Sequence, residues 1–340
     1  MQAAFTSLYV FGDGVCTTTN SPGGTYYYGN RYSNGRVWIE VLAQRQRLIY
    51  ESNKNWSFFG HYSPTLVTNL NNFIAPGDAG SALFVVWVNN ADFVFDVTQY
   101  APYASNNLAT WTNAINQSLS NHLTAIQILY AKGARTLIMP NAADLTKVPF
   151  YVGLSASNKS FIRQRIVDFN IEFAARLNQA RASLPNLTIY SPDIFALIDN
   201  LIAAPGDYGL TNALFNGQSI DALSDPTLAD KSLNGPGANY IFWDYLDPTA
   251  RTHVVLADAS QQLLSPARIN SITPGAGSNR LELANVPIGR NGFVDGCTNL
   301  LTWTSAQSFI STNATQTILV PVLGPLGFYR LRFPFSWTWP

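Results

Sequence analysis

Charge is scarce in this chain. Of its 340 residues 12% are charged, the 20 Lys and Arg balance the 20 Asp and Glu, and the formal net charge is zero. There is no basic stripe, which argues against nucleic acid as a partner. Histidine and cysteine are scarcer still, with three His and two Cys. Cys16 and Cys297 allow one disulfide or two free thiols, and spacing does not choose between them. No apolar run approaches the roughly 18 residues a bilayer span needs. A secretory leader is also missing from view, because "MQAAFTSLYVFGDG" enters an apolar strand almost at once. A processed secreted or periplasmic chain with an added Met1 reads this way, and so does a cytoplasmic one. The neutral surface makes secreted or periplasmic the expectation.

What is present is aromatic and polar. Aromatics make up 13% of the chain, and Asn, Thr, Ser and Tyr are frequent. Such a surface suits a neutral small-molecule or polymer partner such as a glycan. No cofactor and no resident metal are expected.

Over residues 1–265 strand and helix signals alternate. "SLYVFG" and "ALFVVWV" are continuous apolar runs, as expected of strands covered on both faces. "GARTLIMP", "NLTIYS" and "NYIFWD" predict further strands. Helices are predicted over "NGRVWIEVLAQRQRL", 108–132, 156–183, from about Pro192, and over "PTARTHVVLADASQQLL". Strands separated by helices imply a parallel sheet with helices on both faces. Ligands in such sheets sit at the carboxyl ends of the strands, where Gly12-Asp13, Asn89-Asn90 and Asp244 fall. From about Ser265 the pattern changes to short strand-like runs divided by Gly, Pro, Asn and Ser, which predicts a β-sandwich over 266–340. The aromatic end "FPFSWTWP" is expected to dock on the body, since exposed it would be an aggregation hazard.

The strand that ends in "VFGDGVCTTTN" runs into a polar turn, as in hydrolases that present a nucleophile above a sheet, but the residue after Gly12-Asp13 is Gly14. Together with "YYYGNRYSNGRVWIEVLAQ", "NWSFFG", "LFVVWVNNADF" and "YIFWDYLDPTARTH", this segment resembles the GDSL (SGNH) hydrolase family, in the family's order across about residues 5–265. The resemblance implies a flavodoxin-like three-layer α/β/α sandwich that cleaves carboxylic esters of a glycan, lipid or polyester. It also implies a Ser nucleophile, a His base, an Asp that orients the base, and donors for the oxyanion. The nucleophile position is Gly14 and the base position is Asp247, while the orienting Asp244 is kept. Gly60 matches the oxyanion glycine, Asn89 and Ala91 replace the third block's Gly and Asn, and Asn90 supplies a side-chain donor if that loop is shifted by one. Asp13 and Asp92 match acidic family positions. The C-terminal part resembles sandwiches on secreted bacterial proteins.

Two classes of function follow. One is an ester hydrolase with a rearranged set, in which Cys16 replaces the nucleophile and His61 or His253 the base. The other is a pseudoenzyme that keeps the cleft for binding. A third arrangement uses Asp13, Asp92, Asp244 and Asp247 for glycoside acid–base chemistry or to hold a hard cation. His122, in an apolar helical stripe, reads as core. Thr17, Thr18 and Thr19 read as caps. Trp38, Trp56, Trp87 and Trp243 read as core or as apolar walls of the cleft.

Overall fold

The computed structural model describes residues 5–19, 23–286, 291–324 and 326–333. They form two compact units, the first reaching to Ser260 and the second beginning at Gln261.

The first unit is built on a parallel sheet of order β1-β2-β3-β4, made of β1 (Leu8–Gly12), β2 (Leu83–Trp87), β3 (Thr136–Ile138) and β4 (Thr188–Tyr190). β1 and β2 are buried at every position, which explains why they read as unbroken apolar runs. Residues 55–58 run along the free side of β1 as an irregular edge. Asn55 bridges to Val10, and the Trp56 and Phe58 amides donate to the Val10 and Gly12 carbonyls at 2.8 and 3.3 Å.

Side-chain alternation along a strand shows how the helices divide between the faces. Phe84 points to one face of β2, where it stacks on Tyr9 at 5.1 Å and meets Phe73, the residue that ends α2 (Ser63–Asn72). α3 (Asn89–Gln99), α4 (Leu108–Ala131) and α5 (Ala156–Ser183) group with α2 through α4, the central helix of the set. Trp87, of opposite parity, meets Trp38 of α1 (Trp38–Arg45) at 5.4 Å on the other face. α6 (Ile194–Ala203) follows β4 directly. After a two-residue hairpin pair, β5 (Leu214–Phe215) and β6 (Gln218–Ser219), comes α7 (Ala250–Leu264). It packs beside α1, with Arg45 Nε donating to Asp258 Oδ1 at 3.1 Å. The layers are therefore helix, sheet, helix.

α5 matches its predicted bounds, with Ile162, Ile166, Phe169 and Phe173 buried in one stripe. Residues 239–244 do not form the expected last strand. Among the described residues they make isolated bridges, Tyr240 to Thr211 and Phe242 to Pro248, and the Trp243 amide donates within its own loop to the Asp247 carbonyl at 2.8 Å. An apolar run buried by loop packing reads like one buried in a sheet, because hydrophobicity reports burial and not pairing. α2 and α3 carry no strong side-chain N-cap signal of their own and are additions to the sequence reading.

The second unit contains two antiparallel three-stranded sheets, β10-β9-β12 and β11-β8-β7. The strands are β7 (Arg268–Thr273), β8 (Ser278–Ala284), β9 (Asn291–Cys297), β10 (Thr304–Ile310), β11 (Thr315–Pro321) and β12 (Phe328–Arg332). Leu281, Leu283, Val286, Val294, Ile318 and Val320 form their shared core, so the unit is a small β-sandwich. β9 was hidden in the sequence by its two glycines. At Gly292 a Cβ would stand 2.3 Å from the Phe309 ring, so the close approach of that ring requires glycine. The aromatic end beyond Phe333 lies outside the described residues.

The aromatic layer beneath β1 and β2 gives the first test. Phe84 is 1% exposed, so Phe84→Ala is expected to cost the first unit about 3–5 kcal/mol. This is read as a lower urea midpoint at unchanged slope. A cost below about 1 kcal/mol would mean that the ring is not packed as described.

Candidate active site

The carboxyl ends of β1 and β2 and the loop before α7 border one cavity of about 290 Å³ in the first unit. Its polar end is lined by Asp13, Gly14, Gly60, Asn90 and Asp247. Most of the rest is apolar, including Trp87, Val94, Phe95, Leu145, Val148, Ile194, Ile198 and Leu256, with Thr98 and Gln99 also on the wall. No Lys, Arg or His is among its lining residues.

Asp13 ends β1 and caps the short 3-10 turn Gly14–Cys16, its Oδ1 accepting the Val15 amide at 3.1 Å. This is the local reason for the Gly-Asp-Gly order, since an aspartate before a tight turn satisfies the turn's free amides. Burial pushes the Asp13 carboxyl up to about 7. Gly14 faces the cavity. A Cβ placed there would stand 3.2 Å from Phe59 Cδ2, 3.5 Å from Asp247 Oδ1 and 3.9 Å from Tyr32 Cδ2. The two positions that differ from the family pattern are therefore direct neighbours.

Asp244 makes the turn that delivers Asp247. Its Oδ1 accepts the amides of Leu246 and Asp247 at 2.9 and 2.8 Å, and its Oδ2 accepts the Tyr27 hydroxyl at 2.9 Å. The turn is tied further by Asn34, whose Oδ1 accepts the Ala250 amide at 2.8 Å and whose Nδ2 donates to the Leu233 carbonyl at 2.7 Å. Ser33 Oγ donates to the Pro248 carbonyl. Asp247 is 3% exposed, and no hydrogen bond reaches its carboxyl among the described residues. Burial, then the charges of Asp244 and Asp13, hold it well above the usual carboxylate range. Burial also raises Asp244, against the amides and the tyrosine that it accepts.

Asn90, in the first turn of α3, is 8% exposed and accepts the Ala143 amide on Oδ1 at 3.0 Å. Its Nδ2 has no partner among the described residues and borders the cavity. Gly60 sits at φ +76°, a left-handed conformation that favours glycine. The Gly14 and Gly60 amides also have no hydrogen-bond partner among the described residues. One end of the cavity thus presents three sets of N–H donors beside a carboxyl group.

The other candidates, Cys16, His61, His253, Asp92 and Asn89, are placed elsewhere, and their readings need correction. Cys16 is fully buried behind β1, its Sγ accepting the Trp38 indole N–H at 3.3 Å. Burial and the Asp13 charge push its thiol up, the reverse of what a nucleophile needs. Both cysteines are free thiols. His61 is sealed, with Nδ1–H donating to the Gly12 carbonyl at 2.9 Å and Nε2 accepting from Asn69 at 3.2 Å. Burial lowers it to about 4. His253 lies inside the α1–α7 contact, its Nδ1 accepting the Trp38 amide at 3.2 Å, and burial lowers it to about 3. Neither histidine lines the cavity, so neither is placed as a base. Asp92 is a positioning residue outside the cleft, with Oδ1 accepting the Ser63 amide at 2.8 Å and Oδ2 the Ser118 hydroxyl at 2.5 Å. Asn89 also turns away, its Nδ2 donating to the Pro140 carbonyl at 2.9 Å. Of Asp13, Asp92, Asp244 and Asp247, only Asp13 and Asp247 line the cavity, so the four do not converge. Among the described residues no group of three or more His, Cys, Asp or Glu is arranged to hold a metal ion.

His122 is core, as read, with its Nδ1–H on the Ser118 carbonyl. Thr17 Oγ1 accepts the Thr19 amide, and Thr18 Oγ1 meets the Tyr50 hydroxyl. Of the tryptophans, Trp87 lines the cavity, Trp38 and Trp243 are core, and Trp56 stacks on Phe11 at 5.2 Å. The sequence reading missed Tyr27 and Asn34, which shape the Asp247 turn, and the apolar lining from Leu145, Val148, Ile194 and Ile198. The motif "YYYGNRYSNGR" held a signal for the first two. The lining residues looked like any core residue.

A parallel sheet whose carboxyl ends border a largely apolar cavity defines an α/β protein with a ligand site at its strand ends. The family model for GDSL-like lipases and acylhydrolases matches residues 8–260, and the chain belongs to that family. A thermolabile hemolysin of Vibrio parahaemolyticus is 22% identical over 254 residues, which cover 70% of this chain and 56% of the hemolysin. The chain thus spans little more than half the length of that relative. Among solved structures, an acetylxylan esterase of Geobacillus stearothermophilus has a TM-score of 0.41 at 8% identity, over 76% of this chain and 92% of that one. An alpha/beta hydrolase from the metagenome of Lake Arreo has 0.40 at 11% identity, over 76% and 94%. No helix among the described residues is long and apolar enough to cross a membrane.

Two expectations test this placement. Cys16 and Cys297 are buried, so Ellman's reagent should find no reactive thiol in the native protein and both thiols after denaturation. Immediate reaction of Cys16 would reopen its role as a nucleophile. The second expectation concerns pH. Burial raises Asp13 and Asp96 to about 7 and lifts Asp244 and Asp247 as well. Such groups hold protons in the fold that the unfolded chain has already lost above 3.8, so their stabilisation declines as pH rises through the native values. The lowered histidines act in the opposite sense, withdrawing stability as pH falls from 6.5 toward about 4 for His61 and about 3 for His253. The raised carboxyls outnumber the histidines, so the melting temperature of the first unit should be higher at about pH 5 than at about pH 8. The reverse order would mean that these carboxyls are ionised in the fold.

Proposed function

We propose that the cleft binds a neutral acyl ester, holding its carbonyl oxygen at the polar end and its acyl chain in the apolar cavity, without forming a serine-type acyl-enzyme. The observation that carries this reading is that the unpartnered Asn90 Nδ2 and the Gly14 and Gly60 amides all border one largely apolar cavity. Donors arranged in this way suit a carbonyl oxygen, and each buried methylene of a ligand adds about 0.8 kcal/mol. The missing side chain at Gly14 and the sealed positions of Cys16, His61 and His253 remove the residues that covalent catalysis would use.

Three carboxyls near the polar end and no basic lining residue favour a neutral ligand over an anion. Among lipid, polyester and glycan esters, the apolar lining supports an aliphatic acyl group. The secreted or periplasmic location belongs to the same proposal and is supported by the neutral, weakly charged composition.

Calorimetric titration with 2-decanone, a non-hydrolysable carbonyl ligand, against decanoate tests the reading. The ketone should bind at least tenfold tighter near neutral pH, a difference of about 1.4 kcal/mol. Ile198→Trp, which fills the cavity, should abolish binding. Equal or tighter binding of decanoate, or binding unchanged in Ile198→Trp, would refute it.

A further inference from the structure

We infer that the cleft hydrolyses its ester directly with water, Asp247 acting as general base at the place where a serine hydroxyl would stand. This inference rests on the ligand reading above and adds the chemistry.

Three observations meet at one point. The first is room. Gly14 and Asp247 both border the cavity of about 290 Å³, and a Cβ at position 14 would already press on Phe59 at 3.2 Å and stand 3.5 Å from Asp247 Oδ1, so the lack of a side chain there keeps the approach to Asp247 clear. A water molecule needs about 30 Å³ and polar partners, and here the Asp247 carboxylate accepts its protons, while the Gly14 amide is left to the carbonyl oxygen. The second is the carboxyl itself. Asp247 is 3% exposed, lines the cavity and makes no side-chain hydrogen bond among the described residues. Its partner in the turn, Asp244, has both oxygens engaged. Asp244 therefore positions Asp247, and the Asp247 oxygens remain for a ligand or a water. The third is the donor set of Asn90, Gly14 and Gly60, which lies on the same end of the cavity.

The step balances without a covalent intermediate. The ionised Asp247 takes a proton from the water as the water oxygen bonds to the acyl carbon. The carbonyl electrons move onto an oxygen held by the N–H donors. Collapse breaks the bond from the acyl carbon to the alkoxy oxygen, and Asp247 passes its proton to the departing alkoxide. Ester and water become acid and alcohol, and the carboxylate is restored. The acid ionises in a largely apolar cavity that no Lys, Arg or His lines, and this favours its release to water.

The base must be ionised, so turnover should rise toward alkaline pH. The titratable groups near Asp247 that shape this profile are Asp244 and Tyr245 from its own loop, Asp13 from the end of β1, and Tyr27 and Tyr32 from the loop before α1, with the buried Cys16 thiol behind β1.

The experiment follows p-nitrophenyl hexanoate turnover by the unmodified protein, Asp247→Asn and Gly14→Ala. Intact mass after acid quench and 2-decanone binding are measured alongside. The expected result is turnover with no acyl adduct and no burst. Both variants should lose about 100-fold or more in kcat, the scale of a general base. Asp247→Asn, which keeps the shape of the side chain, should bind the ketone within about threefold of the unmodified protein. Gly14→Ala, which fills the water's place, keeps the test open if Asp247→Asn folds poorly. An acylated chain, or turnover unchanged in Asp247→Asn, overturns the inference. Absence of turnover while 2-decanone still binds overturns it too and leaves the ligand reading standing. Loss of ketone binding in the unmodified protein overturns both.

Discussion

The cleft depends on one carboxylate that does not line it. Asp244 accepts two backbone amides and a tyrosine hydroxyl, and this closes residues 244–247 into a turn of fixed shape. Because those acceptors are satisfied inside the protein, the turn withstands burial, and Asp247 is carried to the mouth of the β1 strand. Asn34 and Ser33 hold the far side of the same loop from the segment before α1. Without this set of hydrogen bonds, Asp247 would have no reason to stand beside Gly14.

The electrostatics of the cleft follow from that placement. Asp13 closes the turn after β1, Asp247 enters from the opposite loop, and no basic side chain lines the cavity between them. Carboxyls brought together away from water raise one another's proton affinity. The proposed ligand, a neutral carbonyl, adds no charge to such a site. The same geometry separates this chain from a serine hydrolase. The imidazole that would draw a proton from a serine is replaced by an acid, and the serine by a residue with no side chain. The Gly14 and Gly60 backbones still border the cavity.

Several residues put forward for the site serve architecture here. Asp92 holds the start of α2 and the Ser118 hydroxyl of α4. His253 receives the first amide of α1 and fixes α7 against it. His61 bridges the Gly12 carbonyl and Asn69. Each is a polar group with buried partners, so each is costly to remove and none is free to act on a ligand. Titratable residues near a strand end are thus of two kinds, those that satisfy the backbone and those left facing the cavity. Asp247 is of the second kind.

The layered α/β architecture was legible in the sequence because its determinants are local. The apolar runs at 8–12 and 83–87 and the helical stripes of α4 and α5 report burial directly, and Gly12-Asp13-Gly14 marks a turn by its own chemistry. The loss of Ser and His at positions 14 and 247 was also visible, as was the change to short strands after Ser265. Which polar residues face the cleft was decided by the tertiary structure alone. Cys16 lies two residues from Gly14 in the chain, yet the 3-10 turn sends its sulfur into the core toward Trp38. Asp247 is more than two hundred residues away and ends next to Gly14. Direction at a turn and contact across a sheet depend on the packing of distant segments, and neither spacing nor periodicity carries that information.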